Sequence, residues 1–126
     1  MEKPITNKII AKLNSNPGIW VRKRLSSGST GTKGYPDITG IVQVNLNSLL
    51  IGIRLEIEVK QPGKKPTANQ YSKLRKFRKL GAISFWCDSV ESCEKQLDYW
   101  MENIGIDNHV QTDLLPSGQV TILPDL

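Results

Sequence analysis

Two acidic residues, a lysine and a glutamine are spaced along the chain in a way that suits phosphodiester chemistry. Asp37 follows Gly34-Tyr35-Pro36, Glu58 and Lys60 flank one residue of an apolar run, and Gln70 lies in the next helical pattern. Side chains alternate along a strand with period two, so Glu58 and Lys60 lie on one face. Two carboxylates and an ammonium directed at one spot are typical of a metal-dependent phosphodiesterase.

A hairpin between the two acidic residues predicts that they are neighbours in a sheet. The stretch Asn45-Leu46-Asn47-Ser48 is turn-like, and a hairpin centred between its last two residues pairs Asp37 with Glu58. In that register the polar faces of both strands coincide, and the Cβ atoms of the two acids are expected about 5 Å apart. Like charges at that distance call for compensation, which Lys60 and a divalent cation would supply.

Hard divalent cations prefer oxygen ligands, and Mg²⁺ takes one or two carboxylates while it keeps several waters. Asp37 and Glu58 are therefore expected to bind Mg²⁺, with Mn²⁺ as a substitute. Lys60 either orients or deprotonates the attacking water or stabilises charge on the phosphate, and these roles stay open. Gln70, in the first turn of its helix, is expected to position water, Lys60 or a phosphate.

Hydrophobic periodicity places these residues in an α/β domain with the order α-β-β-β-α-β-α. The expected elements are a helix over 5–13, a strand over 19–25, the hairpin, a helix from Thr67 to Gly81, a strand over 82–87, and a helix from Ser89 to Gly105. Residues 1–105 would form one domain. Residues 106–126 would be an extension that serves as a dimer arm, covers a sheet edge or hangs as a tail.

Five sequence elements in this order resemble the VRR-NUC family of the PD-(D/E)XK nuclease superfamily. They are Gly34 to Asp37, Ile57 to Lys60, Gly63-Lys64-Lys65, Thr67 to Gln70, and Gly81-Ala82. The resemblance runs from about residue 14 to residue 82, and the order of elements agrees to about residue 105. It implies a PD-(D/E)XK core with a mixed central sheet flanked by helices, and it adds the backbone carbonyl of Val59 as a metal ligand.

The chain departs from the family pattern in its first helix, where members usually carry a Glu. The predicted helix has none, and Glu2 is the only acid before Asp37. Either Glu2 fulfils this role as a further metal ligand, or a second metal is weaker or absent. One-metal cleavage by Asp37 and Glu58 is unaffected.

The charge distribution favours a polyanionic partner. Seventeen basic and twelve acidic residues give a net charge of +5, with the acids concentrated after residue 87. The candidate DNA contacts are Arg22, Arg24, Lys33, Lys64, Lys65 and Lys73. For the basic cluster over 73–79, a solvated helix face is an equally good interpretation.

The resemblance implies a DNA endonuclease that acts as a homodimer on branched DNA such as four-way junctions, like short, often phage-encoded family members. The alternatives are a non-specific DNA nickase and a catalytically degenerate DNA-binding scaffold. An RNA-binding module would need exposed stacking aromatics, and the Tyr and Trp residues form no such motif.

Several other classes are disfavoured. No apolar stretch approaches the roughly 18 to 20 residues of a membrane span, and residues 1–4 do not resemble a secretory signal, so a cytoplasmic location is expected, in the host if phage-encoded. Cys87 and Cys93 are expected to be free thiols, and a single histidine does not suit zinc. Lys33 lacks the flanking residues of a P-loop, so no nucleotide cofactor is expected.

Overall fold

The chain folds into an α/β domain whose order of elements is the predicted one. The computed structural model describes residues 4–25, 33–103, 112–114 and 120–122. Its first seven elements are α1 (Pro4–Asn14), β1 (Ile19–Lys23), β2 (Ile38–Leu46), β3 (Leu49–Val59), α2 (Ala68–Lys79), β4 (Ile83–Cys87) and α3 (Val90–Glu102). The fold class is thereby confirmed at the level of a small α/β domain.

Four strands form one mixed sheet in the order β1-β2-β3-β4. The pairs β1–β2 and β2–β3 are antiparallel, whereas β3 and β4 are parallel because α2 crosses between them. One edge of the sheet therefore collects the carboxyl ends of β1, β3 and β4 and the amino end of β2. Asp37, directly before β2, and Glu58 and Lys60, at the end of β3, all lie at this edge.

The predicted hairpin register is confirmed. Asn47 and Ser48 have φ of 51° and 66°, as a two-residue turn requires for a match to the strand twist. The ladder runs from Leu46 opposite Leu49 to Ile38 opposite Ile57. The next position along each strand is Asp37 on one side and Glu58 on the other.

The core lies between one face of the sheet and the pair α1 and α3. The core side chains are less than a tenth exposed to solvent, and those on the strands occupy alternate positions. They include Ile9, Leu13, Val21, Ile38, Leu55, Ile57, Phe85, Cys93 and Leu97. The opposite face carries α2, since Ser84, which alternates with core residues, donates its hydroxyl to the Leu74 carbonyl over 2.9 Å. The acidic residues of β3 on this second face, Glu56 and Glu58, are buried.

A capping box fixes the start of α2 close to the edge that carries the candidate site. Thr67 adopts an extended conformation and accepts the Gln70 backbone N–H over 3.2 Å, while Gln70 Oε1 accepts the Thr67 N–H over 2.8 Å. The predicted caps Thr67 and Ser89 are both confirmed. Gly81, with φ of 100°, follows the end of α2 as predicted.

Beyond residue 103 the structure describes only a short antiparallel pair, β5 (Thr112–Leu114) and β6 (Val120–Ile122). Both strands belong to the C-terminal extension, whose role stays a prediction. Within the described ranges, no helix combines the length and the apolar character needed to cross a bilayer.

Candidate active site

The sheet topology brings together the chain positions of the four predicted catalytic residues. Asp37 stands directly before β2, and Glu58 and Lys60 stand at the end of β3, which lies antiparallel beside it. Gln70 occupies the first turn of α2, just after the loop that leaves β3. The hairpin register, which the sequence predicted, accounts for the proximity of the chain positions of Asp37 and Glu58.

The Asp37 carboxylate is anchored to the end of β3. Its Oδ2 accepts the backbone N–H of Val59 over 2.9 Å, across 22 residues of sequence. The side chain is half-buried. This bond holds one carboxylate oxygen of Asp37 beside the segment that links Glu58 to Lys60, and a hydrogen bond to an ionised acceptor is among the stronger ones in proteins.

Glu58 and Lys60 share a face as predicted, and they form an ion pair. Glu58 is 1% exposed, Lys60 is 16% exposed, and Lys60 Nζ lies 3.7 Å from Glu58 Oε2. That separation exceeds a hydrogen-bond length, so the attraction is electrostatic and leaves the ammonium room to turn toward another group. Burial strengthens the interaction because the local dielectric is low.

Gln70 combines a structural and a potentially functional role. Its Oε1 is used in the capping box, so the amide nitrogen is the group that can still donate to a ligand. The side chain lines an open cavity of about 220 Å³ together with Asp37, Arg24 and the turn residues Gly34 to Pro36. Asp37 and Gln70 thus line one open cavity.

Gly34 meets a conformational requirement at the wall of this cavity. Its φ is 81°, and a Cβ atom placed there would lie 2.2 Å from Asn69 Nδ2. A side chain would strain the backbone at this positive φ and would require the Asn69 side chain to move. The glycine of the Gly-Tyr-Pro-Asp segment is therefore explained by the geometry that brings the Asp37 turn against α2.

Glu56 is a buried charge that sequence reasoning did not select. It is fully buried; its Oε1 accepts from Arg24 Nη2, and its Oε2 accepts from Thr39 Oγ1 over 2.6 Å and from Arg54 Nε over 2.7 Å. The signal was present, because Glu56 alternates with apolar residues on the same strand face as Glu58. What was missing was its pairing with Arg24, which is distant in sequence.

The six predicted DNA contacts differ in exposure. Arg22, Lys33, Lys64 and Lys65 are exposed. Lys73 is half-buried with Nζ 4.9 Å from the centre of the Tyr35 ring. Arg24 is directed inward to Glu56, with its side chain 18% exposed. The exposed four are the better placed to reach phosphates.

The oxygen donors at this edge fit Mg²⁺ or Mn²⁺. Asp37 and Glu58 offer hard carboxylate oxygens, and Val59, the source of the expected carbonyl ligand, lies between Glu58 and Lys60 in the chain. Among the described residues, no group of three or more His, Cys, Asp or Glu side chains is arranged to hold a metal. This donor set suits Mg²⁺, which needs only one or two carboxylates. Glu2 lies outside the described residues.

Cys87 ends β4 beside the site, and its thiol resists ionisation. A hydrogen bond with the Cys93 side chain, then burial, then electrostatic interactions with Cys93, Asp88 and Asp37, raise the pKa of Cys87 well above its usual value of 9.0. Both cysteines are free and buried, as the sequence predicted. The neutral thiol is therefore the form that the folded state favours.

This shift predicts a loss of stability at alkaline pH. The unfolded chain releases the Cys87 proton near pH 9 while the folded chain retains it, so the stabilising contribution is complete below pH 9 and is lost as pH rises toward the folded pKa. Urea unfolding between pH 8 and 10.5 should show a decline of at most about 1.4 kcal/mol per pH unit from this group. The decline should be smaller in Cys87→Ala; equal slopes would contradict the assignment.

Comparison of the chain with protein-family models, with curated proteins and with solved structures finds no match. The function must therefore be argued from the arrangement of the residues described above.

Proposed function

We propose that this protein is a divalent-metal-dependent nuclease that hydrolyses phosphodiester bonds in DNA, with a PD-(D/E)XK core of the VRR-NUC type. The observation that carries the proposal is the anchoring of Asp37 Oδ2 to the Val59 N–H, in the segment where the buried Glu58 forms an ion pair with the half-buried Lys60. The residues that carry two carboxylates and one ammonium stand at one edge of the sheet, and Asp37 also lines the open cavity there.

Asp37 and Glu58 would hold the cation through carboxylate oxygens, with the Val59 carbonyl as a further ligand. When bound, Mg²⁺ supplies Lewis acidity toward a phosphoryl oxygen and lowers the pKa of water. The Val59 N–H keeps Asp37 oriented before any ligand arrives, so little reorganisation is needed on binding.

Lys60 and Gln70 would act on the other reacting groups. The Lys60 ammonium, 3.7 Å from Glu58 Oε2, can donate to a phosphate oxygen or, if deprotonated, accept a proton from water. Gln70 lines the cavity that it shares with Asp37, and its capping hydrogen bond uses Oε1 rather than the amide nitrogen. Its amide nitrogen would donate to a phosphate oxygen or hold a water molecule in place.

The test of this proposal is cleavage of DNA by the purified full chain with Mg²⁺ or Mn²⁺. We expect nicking of supercoiled plasmid that EDTA abolishes and that added Mg²⁺ restores. Ca²⁺, which binds oxygen ligands but tolerates other geometries, should support less cleavage. DNA binding without any cleavage under all metals would instead favour a catalytically degenerate scaffold.

Branched DNA is the proposed substrate and a homodimer the proposed assembly. One site cuts one strand, so paired incisions need two chains, and a two-fold dimer would hold both sites at a fixed separation that selects a DNA shape. We expect light scattering to give twice the monomer mass and a four-way junction to be cut faster than its linear arms. A monomer with equal rates on both substrates would favour a non-specific nickase.

The loop between β3 and α2 is expected to contact the DNA backbone. Lys64 and Lys65 are both exposed there and follow the end of β3 closely. Replacing both with Ala should weaken binding to linear and branched DNA by a similar factor and flatten the slope of log K against log salt by about 1.8, at roughly 0.9 per phosphate.

Lys8 and Lys12 provide the matched control for this double replacement. Both are exposed on α1, on the face of the sheet opposite α2. Their joint replacement with Ala removes the same charge and should leave the salt slope nearly unchanged. Equal changes in the two double variants, measured by fluorescence titration, would show that the effect reflects net charge rather than the loop.

A further inference from the structure

The buried carboxylate of Glu56 is linked to the turn that carries Asp37. Glu56 Oε1 accepts from Arg24 Nη2, and the same guanidinium donates through Nε to the Pro36 carbonyl over 2.9 Å. The backbone N–H of Arg24 donates to the Asp37 carbonyl over 2.6 Å. Arg24 therefore holds the carbonyl groups on both sides of the Asp37 α-carbon.

We propose that Arg24 and Glu56 are positioning residues for the Asp37 carboxylate. Glu56 fixes the plane of the Arg24 guanidinium, and Arg24 in turn fixes the backbone from which the Asp37 side chain departs. A guanidinium suits this task because its donors have a fixed planar arrangement and can serve two acceptors at once. The inference rests on the proposed function, in which Asp37 binds a divalent cation.

Glu56 itself has no capacity to act as a ligand. Both of its oxygens accept hydrogen bonds, from Arg24 on one side and from Thr39 and Arg54 on the other, and none of its surface reaches solvent. Burying a carboxylate this fully costs desolvation free energy, which only well-placed hydrogen-bond and ion-pair partners offset. Its contribution at the site must therefore pass through the groups that it holds.

Two aromatic side chains pack against the arginines that bind Glu56, Phe77 from α2 and Tyr35 from the turn before β2. The Phe77 ring lies 4.6 Å from the Arg54 guanidinium carbon and 5.9 Å from that of Arg24, and the Tyr35 ring lies 5.4 Å from Arg24. Tyr35 and Phe77 meet edge to face at 6.0 Å. The Arg24 guanidinium is thus flanked by two rings in addition to its hydrogen bonds, which favours the single orientation that a positioning role requires.

Arg54 is the internal control that separates positioning from stability. It binds the same carboxylate as Arg24 and packs on the same Phe77 ring, but it does so from β3 and with its side chain 53% exposed. Arg24→Lys and Arg54→Lys make the same chemical change on the two sides of Glu56. Only the first removes the bridge to the Pro36 carbonyl.

The experiment compares these two variants with the wild type in two measurements. Calorimetric titration with Mn²⁺ should show an affinity roughly 10- to 100-fold lower in Arg24→Lys, the usual cost of losing a group that orients a metal ligand. Hydrogen exchange of the Val59 amide, which donates to Asp37, should be roughly tenfold faster or more. Arg54→Lys should stay within about threefold of the wild type in both.

Equal shifts in the two variants, or an unchanged Val59 amide in Arg24→Lys, would overturn the proposal and leave Glu56 with a structural role alone. If Arg24→Lys fails to fold, Glu56→Gln keeps the side-chain volume and is compared with Arg54→Lys by the same criteria. The amide measurement needs neither metal nor DNA. If the wild type neither bound Mn²⁺ nor cleaved DNA, the proposed function would be wrong. The exchange rates of the Val59 amide would still decide whether Arg24 positions Asp37.

Discussion

Replacing Asp37 with Asn, or Glu58 with Gln, is expected to lower kcat/KM for DNA cleavage by about a thousandfold or more. At 1.36 kcal/mol per tenfold, this is a loss of about 4 kcal/mol of transition-state stabilisation. Each change keeps the size of the side chain and removes the charge that the cation requires. The effect should therefore fall on catalysis and on metal affinity rather than on folding.

The structure explains why the fold should survive these changes. An amide oxygen in Asp37→Asn can still accept the Val59 N–H that Asp37 Oδ2 now accepts over 2.9 Å. In Glu58→Gln a charge that is 1% exposed is replaced by a neutral group. Both variants should also bind DNA at least as tightly as the wild type, because a negative charge near the phosphates is gone.

Fluorescence anisotropy and metal-dependent cleavage, measured on the same preparations, check this prediction. Asp98→Asn, an exposed acid on α3, is the matched control and should retain full activity. Activity above about a tenth of the wild type in Asp37→Asn or Glu58→Gln would contradict the assignment of these carboxylates.

The sheet register could be predicted because a local feature determines it. Two turn residues, Asn47 and Ser48, set the pairing of every residue in the hairpin, and the alternation of apolar side chains admits only one face toward the core. The helix caps at Thr67 and Ser89 could also be predicted from the sequence, since capping depends on residues within one turn of each other. Local rules were thus sufficient to predict the register that places Asp37 and Glu58 one position beyond the last pair of the ladder.

The network behind the site could not be predicted in the same way. Glu56 and Glu58 have the same spacing pattern on β3, and the difference between them lies in their partners. Glu56 accepts a hydrogen bond from Arg24, which is 32 residues away from it in the sequence, whereas Glu58 forms an ion pair with the neighbouring Lys60. Contacts of that separation follow from the packing of β1 against the turn before β2, which no local rule describes. Arg24 was accordingly predicted as a DNA contact, yet it is directed to Glu56.

Lys60→Met is expected to lower kcat by about 10²- to 10⁴-fold while Mn²⁺ still binds. The replacement keeps an unbranched apolar stem and removes the ammonium that lies 3.7 Å from Glu58 Oε2. With that positive charge gone, the two carboxylates should attract a divalent cation at least as strongly as before. Loss of turnover with metal affinity retained would therefore assign Lys60 to the reacting groups.

The two roles left open for Lys60, acting on the attacking water or stabilising charge on the phosphate, both require that metal uptake survive the loss of its ammonium. Calorimetry is the control: if a folded Lys60→Met protein no longer took up Mn²⁺, Lys60 would be a structural counter-ion of Glu58, and the proposed chemistry would need another donor.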